Sequence, residues 1–235
     1  MSRTKKAVII GSVLVGIGVI IGFIGIAIGG FKFPNGAVDL TTMKALHTEK
    51  KTVQIADAFD KIEIAGASSM DIEICKSKTG KNYVEYYDTD DWTSHVDVKD
   101  HVLKFTTDDK GKHKAIVSLG FGKDTRTRIY LTDAEYQEIA VTTLSGYVTI
   151  QDVNAETVNV SASSGDLYMK NINVPDSIMA TSSSGDIDLE NATAKQIELG
   201  ANSGDIEMQD ITAESLRMST SSGDIDLESC DAEKF

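Results

Sequence analysis

Acidic residues recur at a fixed spacing in the second half of this chain, and their chemistry is that of hard-cation ligands. Asp166, Asp186, Asp205 and Asp224 each stand directly after a glycine. Carboxylates stacked at regular intervals would supply the oxygen ligands that Ca²⁺ and Mg²⁺ take. These four aspartates are therefore the candidate metal ligands of the sequence, and calcium is the cofactor that would fit them.

Two other roles fit the same aspartates. Each carboxylate could cap its own turn by accepting backbone N–H groups, with the other acids facing water. The column could also recognise a basic or polyhydroxylated partner. Calcium-binding nonapeptide solenoids need a denser glycine pattern than one Ser-Gly-Asp per 19 residues. We therefore expect turn capping, with no metal and no cofactor.

The aspartates belong to a repeat that must position them. A phrase of the form Ser-Gly-(Asp/Tyr)-apolar-x-apolar occurs five times, and its glycines are separated by 19, 20, 19 and 19 residues. A fixed period of this size is typical of a solenoid, in which each coil buries its apolar side chains against its neighbours. The sequence therefore predicts an all-β, single-stranded β-solenoid with about 19–20 residues per coil. The glycines are Gly146, Gly165, Gly185, Gly204 and Gly223.

Aligning the repeats on their glycines separates inward from outward side chains. Apolar and polar residues alternate, and a period of two indicates β-strands rather than helices. We expect two short strands per coil joined by two tight turns, with the extra residue of the second coil forming a bulge near Pro175. The predicted inward columns are Val148, Leu167, Ile187, Ile206 and Ile225; Ile150, Met169, Leu189, Met208 and Leu227; and Val153, Ile172, Ala192, Ile211 and Cys230.

The negative charge of the chain is concentrated in these repeats. Residues 146–235 contain 17 acidic and 4 basic residues, so their net charge of −13 equals that of the whole chain. A surface this acidic opposes phosphate binding, which excludes nucleic acid as a partner. Besides the aspartates after the glycines, a second outward column is predicted at Thr149, Tyr168, Asp188, Glu207 and Asp226.

The N-terminus predicts where the repeats lie in the cell. Arg3, Lys5 and Lys6 precede an uncharged, mostly apolar run over residues 7–31, which is long enough to span a bilayer. The basic residues keep the N-terminus cytoplasmic, so we expect one transmembrane helix and an extracellular C-terminal domain at the cell membrane. A cleaved secretion signal is the alternative, with the small-residue site at 27–29.

The chain divides into five predicted regions. Residues 1–6 form a cytoplasmic basic tip, 7–31 the transmembrane helix, 32–52 a polar stalk, 53–145 an irregular β region that caps the solenoid, and 146–235 the regular coils. Terminal repeats of a solenoid are atypical because they must close the core.

The irregular region carries β patterns of its own. The segment Ser68–Ile74 resembles the later Ser-Ser-Gly-Asp-Ile copies, with Met70 in the glycine position. We therefore expect an early, degenerate coil there. The predicted strands of the region lie at 61–64, 71–74, 83–87, 96–105, 115–119, 127–131 and 139–143.

These motifs carry a family resemblance. The segments Ile129–Thr132 and Ile139–Gly146, followed by Ser-Ser-Gly-Asp-Ile copies and preceded by a membrane segment, resemble the bacterial putative-adhesin family with β-strand repeats. The likeness runs from about Phe59 to the end of the chain. It implies a single-stranded β-helix outside the membrane and, in some relatives, a link to envelope-stress operons. The family is largely of unknown function and brings no catalytic residues, so the resemblance indicates a fold rather than an activity.

The remaining candidates for chemistry are isolated. Cys75 and Cys230 lie far apart in a stack of coils, so we expect no disulfide, and Cys230 falls in an inward column. The histidines are scattered, with no cysteine beside them, and are expected to be solvated. They are His47, His95, His101 and His113.

The function that the sequence favours is binding without catalysis. β-Helix enzymes hold their catalytic acids on long loops beside a groove, whereas here the acids recur in every coil with no room for such loops. We expect an anchored solenoid for adhesion or envelope-stress sensing, with an envelope protein or a cell-wall polymer as partner. A structural spacer is the alternative, and an enzyme acting on wall polysaccharides comes third. Because the chain stops inside a coil at Phe235, we expect either that Phe235 plugs the open end of the stack or that the natural protein continues. An uncapped coil would expose strand edges, and self-association would follow.

Overall fold

The architecture is known from a computed structural model, and it is built from β-strands. None of the residues described there forms a helix long and apolar enough to cross a membrane. The predicted basic tip and transmembrane helix, residues 1–6 and 7–31, lie outside the described part of the chain. The described residues are 37–39, 44–45, 48–89, 92–109, 116–118 and 126–235.

Seventeen strands run through these residues. They are β1 (Ala37–Asp39), β2 (Lys44–Ala45), β3 (Thr48–Gln54), β4 (Lys61–Ser69), β5 (Ile72–Lys76), β6 (Tyr83–Thr89), β7 (Trp92–Lys99), β8 (Val102–Asp109), β9 (Ile116–Ser118), β10 (Thr127–Leu131), β11 (Glu135–Ser145), β12 (Val148–Gln151), β13 (Asn154–Ser164), β14 (Leu167–Ser184), β15 (Ile187–Ser203), β16 (Ile206–Ser222) and β17 (Ile225–Lys234).

Fourteen of the described strands belong to one sheet, which winds around the core as two ladders. One ladder, called the first face, runs β3-β6-β10-β5-β12 and continues through the first parts of β14 to β17. The other, called the second face, runs β7-β8-β4-β11-β13 and continues through the second parts of β14 to β16. The stack therefore has a proximal end at β3 and β7 and a distal end at β17.

The regular coils stack in parallel with the register that their repeats predict. Val148 pairs with Leu167, Leu167 with Ile187, and the same column continues through Ile206 and Ile225. The inward columns are buried except in the last coil, and the predicted bulge near Pro175 is a register shift between β14 and β15. The all-β solenoid is confirmed for the described residues.

One of the two predicted turns is a corner, and in β14 to β17 this corner lies within a continuous strand. Asp152, Asn171, Asn191, Asp210 and Ser229 occupy this corner with φ between 51° and 55°, a left-handed conformation that Asn and Asp tolerate well. The Asn191 amide donates to Oδ1 of Asn171 at 2.8 Å, and the Asn171 amide donates to Oδ1 of Asp152 at 2.9 Å. These bonds join successive coils at the corner, so the chain changes direction without losing its stacking.

The predicted early coil exists, but its place in the stack differs from its place in the chain. β4 lies between β8 and β11, and β5 lies between β10 and β12. The first coil of the sequence is thus inserted between two layers that the chain forms later. The three-residue connection from β10 to β11 steps past this inserted coil.

Antiparallel strands close the proximal end. β3 pairs with β6, β6 with β10, and β7 with β8. The predicted single strand at 96–105 is wrong, because Asp100 and His101 both have positive φ (51° and 63°) and form a two-residue hairpin turn between β7 and β8. Residues 48–52, predicted to be part of the stalk, belong to the edge strand β3.

Candidate functional site

Two outward columns of the first face become acidic in the distal coils. The register places Tyr168, Asp188, Glu207 and Asp226 in one column, and the second column lies two residues further along each strand. Five of the eight side chains are carboxylates. The eight residues, called the acidic face below, are Tyr168, Lys170, Asp188, Glu190, Glu207, Gln209, Asp226 and Glu228.

An open groove of about 520 Å³ lies over the acidic face. Its lining includes all five carboxylates of the face together with Tyr168 and Gln209. The carboxylates stand on adjacent strands, which are about 4.8 Å apart, so they repel one another unless a cation or a proton intervenes. The groove is therefore shaped and charged to accept a positive group.

Asp188 is a partly buried carboxylate of this groove. Partial burial raises its pKa, the charges of Glu207, Asp186 and Asp166 raise it further, and the pKa reaches about 6. A fraction of Asp188 is consequently protonated near neutral pH. A cation bound in the groove would favour the ionised form, because it would offset the neighbouring negative charges.

The proximal edge of the acidic face is held by an ion pair. Nζ of Lys170 lies 2.6 Å from Oε1 of Glu190, and the Tyr168 hydroxyl donates to Oε2 of the same carboxylate at 3.0 Å. These hydrogen bonds lower the pKa of Glu190. Glu190 and Asp188, two residues apart on β15, thus have pKa values displaced in opposite directions.

The four aspartates named from the sequence lie in one column, and the first three accept hydrogen bonds from the backbone of the next coil. The Asp186 N–H donates to Oδ1 of Asp166 at 3.0 Å, the Asp205 N–H to Oδ1 of Asp186 at 2.8 Å, and the Asp224 N–H to Oδ1 of Asp205 at 2.7 Å. The same bond joins the Tyr147 N–H to Oδ1 of Asp71 at 3.0 Å. The carboxylates of Asp166, Asp186 and Asp205 therefore each link their own coil to the next one, where the sequence had suggested a cap for the residue's own turn.

The glycines before these aspartates form a close-packed corner, called the glycine edge below. A Cβ on Gly165 would lie well under 3.0 Å from the Gly146 carbonyl oxygen, and a Cβ on Gly185 would meet the Gly165 carbonyl in the same way. Gly146 meets the carbonyl of Met70 likewise. Met70 carries a side chain at the equivalent position, and the Thr127 hydroxyl donates to its sulfur at 2.8 Å.

The other predicted candidates stay apart. Within the described ranges, no three His, Cys, Asp or Glu side chains are arranged to hold a metal ion. His95 pairs with Asp108 at 3.1 Å on the surface, and His47 and His113 lie outside the described residues. Cys75 and Cys230 are both free thiols, and burial raises the pKa of Cys75 to about 11, so its thiol is protonated and unreactive at neutral pH.

The periodicity of the sequence identified the column that contains Asp188, but it could not identify the bonds of Lys170 and Glu190. Lys170 is a basic residue at a position where later repeats carry Glu190, Gln209 and Glu228. This exception to the acidic pattern was the one sequence signal that could have indicated an ion pair. Its partner depends on the register between β14 and β15, which places Lys170 beside Glu190.

One family model matches most of the chain. The family model described as Toastrack DUF4097 matches residues 59–235, the stretch over which the resemblance was found. No curated protein matches the chain.

Several solved structures are similar to this chain at low identity. A putative adhesin from Bacteroides fragilis is 17% identical with a TM-score of 0.44, covering 79% of this chain and 95% of that one. A putative cell adhesion protein from Clostridium sporogenes is 11% identical with a TM-score of 0.42, covering 79% of this chain and 100% of that one. A putative adhesin from Parabacteroides distasonis is 15% identical with a TM-score of 0.42, covering 80% and 93%.

Proposed function

The chain belongs to the Toastrack DUF4097 family, and from this premise we propose that it is a non-catalytic binding protein of the bacterial cell envelope. Residues 7–31 anchor it in the membrane as a single-pass helix with the N-terminus in the cytoplasm, and the solenoid lies outside. The acidic face holds a polycationic partner, such as a basic segment of an envelope protein or a cationic wall polymer. Binding of this partner serves adhesion or envelope-stress sensing.

The groove over the acidic face carries this proposal. It presents five carboxylates at strand spacing with one lysine at their proximal edge, and that lysine is already paired with Glu190. The pKa of Asp188 is raised to about 6 by partial burial and, to a smaller extent, by the charges of Glu207, Asp186 and Asp166, and a bound cation would offset those charges. The net charge of −13 over residues 146–235 would also attract a positive partner from a distance at low ionic strength.

A direct binding experiment tests the acidic face. The full-length protein in detergent micelles is titrated with a fluorescent hexalysine peptide at low and at physiological salt. We expect binding that weakens with salt, and a several-fold loss of affinity in the double variant Asp188→Asn/Glu207→Gln. The matched control is Glu198→Gln, which removes a carboxylate from the second face of the same coil as Asp188. Absence of binding at low salt would reject the proposal.

The location and the biological role need separate experiments in intact cells. Protease added outside the cell should digest the solenoid while a tag at the N-terminus stays protected. Cross-linking of the anchored protein should capture a membrane regulator if the role is sensing, and wall glycan if it is adhesion. A protein that captures only itself would be a structural spacer.

An enzyme acting on wall polysaccharides is the second candidate, because one observation favours it. Asp188 and Glu190 line one groove with pKa values displaced in opposite directions, as a general acid and its partner carboxylate require. The ion pair with Lys170 accounts for the displacement of Glu190 without catalysis. Release of soluble sugar from purified wall glycan, lost in Asp188→Asn and in Glu190→Gln, would establish the enzyme.

A further inference from the structure

We propose that the basic partner carries an apolar side chain at one end, and that this side chain docks on Leu144 and Tyr147 at the glycine edge. This inference rests on the proposed function and specifies the chemistry and the direction of the bound partner. The apolar end lies at the proximal side of the acidic coils, and the positive charges extend toward the distal end.

The first observation is that two large apolar residues are exposed where the repeat places polar ones. Leu144 is 56% exposed and Tyr147 is 59% exposed, and they flank the Gly146 turn. Other large hydrophobic residues with such exposure among the described residues are Met179 on the second face and Ile225, Leu227 and Phe235 in the last coil. The equivalent positions in the later coils hold Ser163, Ser183, Asn202 and Ser221 in place of Leu144, and Asp166, Asp186, Asp205 and Asp224 in place of Tyr147.

The second observation is that carboxylates surround Tyr147 along the edge. Its N–H is held by Oδ1 of Asp71 in the coil below at 3.0 Å, and Asp166 occupies its position in the coil above. The aspartate column continues distally through Asp186 and Asp205, each linked to the next coil by its own backbone bond. The aromatic ring thus interrupts a column of negative charge without ending it.

These surroundings select the occupant. An apolar partner without charge would desolvate the neighbouring carboxylates, and a purely cationic partner would leave Leu144 exposed to water. A segment with both features would cover the apolar side chains and pair its positive charges with the carboxylates. A lysine ammonium can in addition lie over the Tyr147 ring. The occupant is therefore a basic peptide segment with a terminal Leu or Phe, recognised by its charge and by its apolar end.

The length of the surface fits a short extended segment. Four coil spacings separate Tyr147 from Asp224 in the column, which is about 19 Å at 4.8 Å per strand. Six extended residues span about 20 Å. A hexalysine tail that follows an apolar residue would thus reach from the Gly146 turn to the last coil of the acidic face, which holds Asp226 and Glu228.

Two matched peptides test the inference on the full-length protein in detergent micelles. One is Phe-Gly followed by six lysines, the other is Gly-Gly followed by six lysines, and fluorescence anisotropy gives their dissociation constants. We expect the phenylalanine peptide to bind about tenfold more tightly to the wild type. In the double variant Leu144→Ser/Tyr147→Ser the ratio should fall to about one, while the affinity for the glycine peptide stays unchanged.

The control variant is Met179→Ser, which removes a comparably exposed apolar side chain from the second face. It should keep the tenfold ratio. If both peptides bind the wild type equally, or if the double variant keeps the preference, the inference is wrong while the proposed function stands. If neither peptide binds, the acidic face has no polycationic ligand, and the inference and the proposed function both fail.

Discussion

Neighbouring coils in residues 146–235 meet through bonds that repeat, whereas the layers of residues 53–145 meet through bonds that differ from place to place. In the coils, the N–H of Gly165 donates to the carbonyl of Ser184 at 3.0 Å, and the N–H of Gly185 donates to that of Ser203 at 3.1 Å. In the proximal half, the single residue Asn82 joins three segments. Repetition gives the coils a uniform surface on which charge accumulates, and irregular bonds give the proximal half a fixed order of layers.

The largest effect is expected from a substitution that disrupts the repeated packing of the glycine edge. Gly185→Ala should lower the free energy of unfolding by about 3–5 kcal/mol, because the new Cβ would meet the Gly165 carbonyl and φ is +151° at this position. Urea unfolding followed by circular dichroism measures the change.

The matched control for that variant is Gly200→Ala in the same coil. Its Cβ would make ordinary contacts, the nearest at 3.7 Å to Thr181. Its effect should stay within about 0.5 kcal/mol. Equal losses in the two alanine variants would show that close stacking is not what requires glycine at the edge.

A smaller effect is expected from a substitution of Asn82, which joins three segments of the proximal half. Oδ1 of Asn82 accepts hydrogen bonds from the Thr132 N–H at 2.7 Å and from the Tyr136 hydroxyl at 3.3 Å. The backbone carbonyl of Asn82 accepts a hydrogen bond from the Ile55 N–H at 3.0 Å. Asn82→Ala leaves the Thr132 and Tyr136 donors without this acceptor and should cost about 2 kcal/mol.

The comparison residue for Asn82 is Asn202, which is exposed on the coils. Asn202→Ala should change the urea midpoint very little. If the two asparagine variants unfold at the same midpoint, the junction at Asn82 does not hold the proximal layers together.

The charge of the coils should make their stability depend on pH. The pKa of Asp188 is raised to about 6 in the folded protein, above its unfolded value of about 3.9, so the neutral form is favoured by folding. Its contribution is therefore fully present below about pH 4 and is lost as the pH rises through about 6. Asp188→Asn should stabilise the protein by about 1 kcal/mol at pH 7.5, after allowance for solvent screening, and by nothing at pH 4.

Melting temperatures of Asp188→Asn at pH 4, 6 and 7.5 measure this effect. Glu198→Gln removes one carboxylate from the other face of the same coil and serves as the control. If the increase in melting temperature caused by Asp188→Asn is the same at all three pH values, ionisation of Asp188 does not destabilise the folded protein.

The smallest expected effect concerns divalent cations. Oδ1 of Asp166, Asp186 and Asp205 is already bonded to backbone N–H groups, so these carboxylates stabilise the stack without a metal. Millimolar Ca²⁺ or a chelator should therefore leave the melting temperature unchanged. A rise of several degrees with Ca²⁺ would indicate that carboxylates of the column or of the acidic face bind the ion.

The sequence predicted the coils well, because the residues of each inward column recur at the same position of a repeat of nearly fixed length. The glycine pattern even revealed the early coil at Met70. The place of that coil in the stack was not predictable, since β5 fits equally well beside any parallel strand of period two, and its partners β10 and β12 lie far away in the chain. The acidic columns were predicted, but the link between Lys170 and Glu190 depends on register and distance.

The insertion of β4 and β5 between later layers also bears on how the chain folds. In the distal coils each residue pairs with a partner 19 or 20 positions away, as Leu189 does with Met208 and Met169. Ile72 pairs first with Thr127, 55 positions later. Lys61 pairs with Val102, 41 positions later, and with Glu138, 77 positions later. Because short loops close at a lower entropic cost, the distal coils should nucleate folding. The proximal half, although made first by the ribosome, should complete its pairing last.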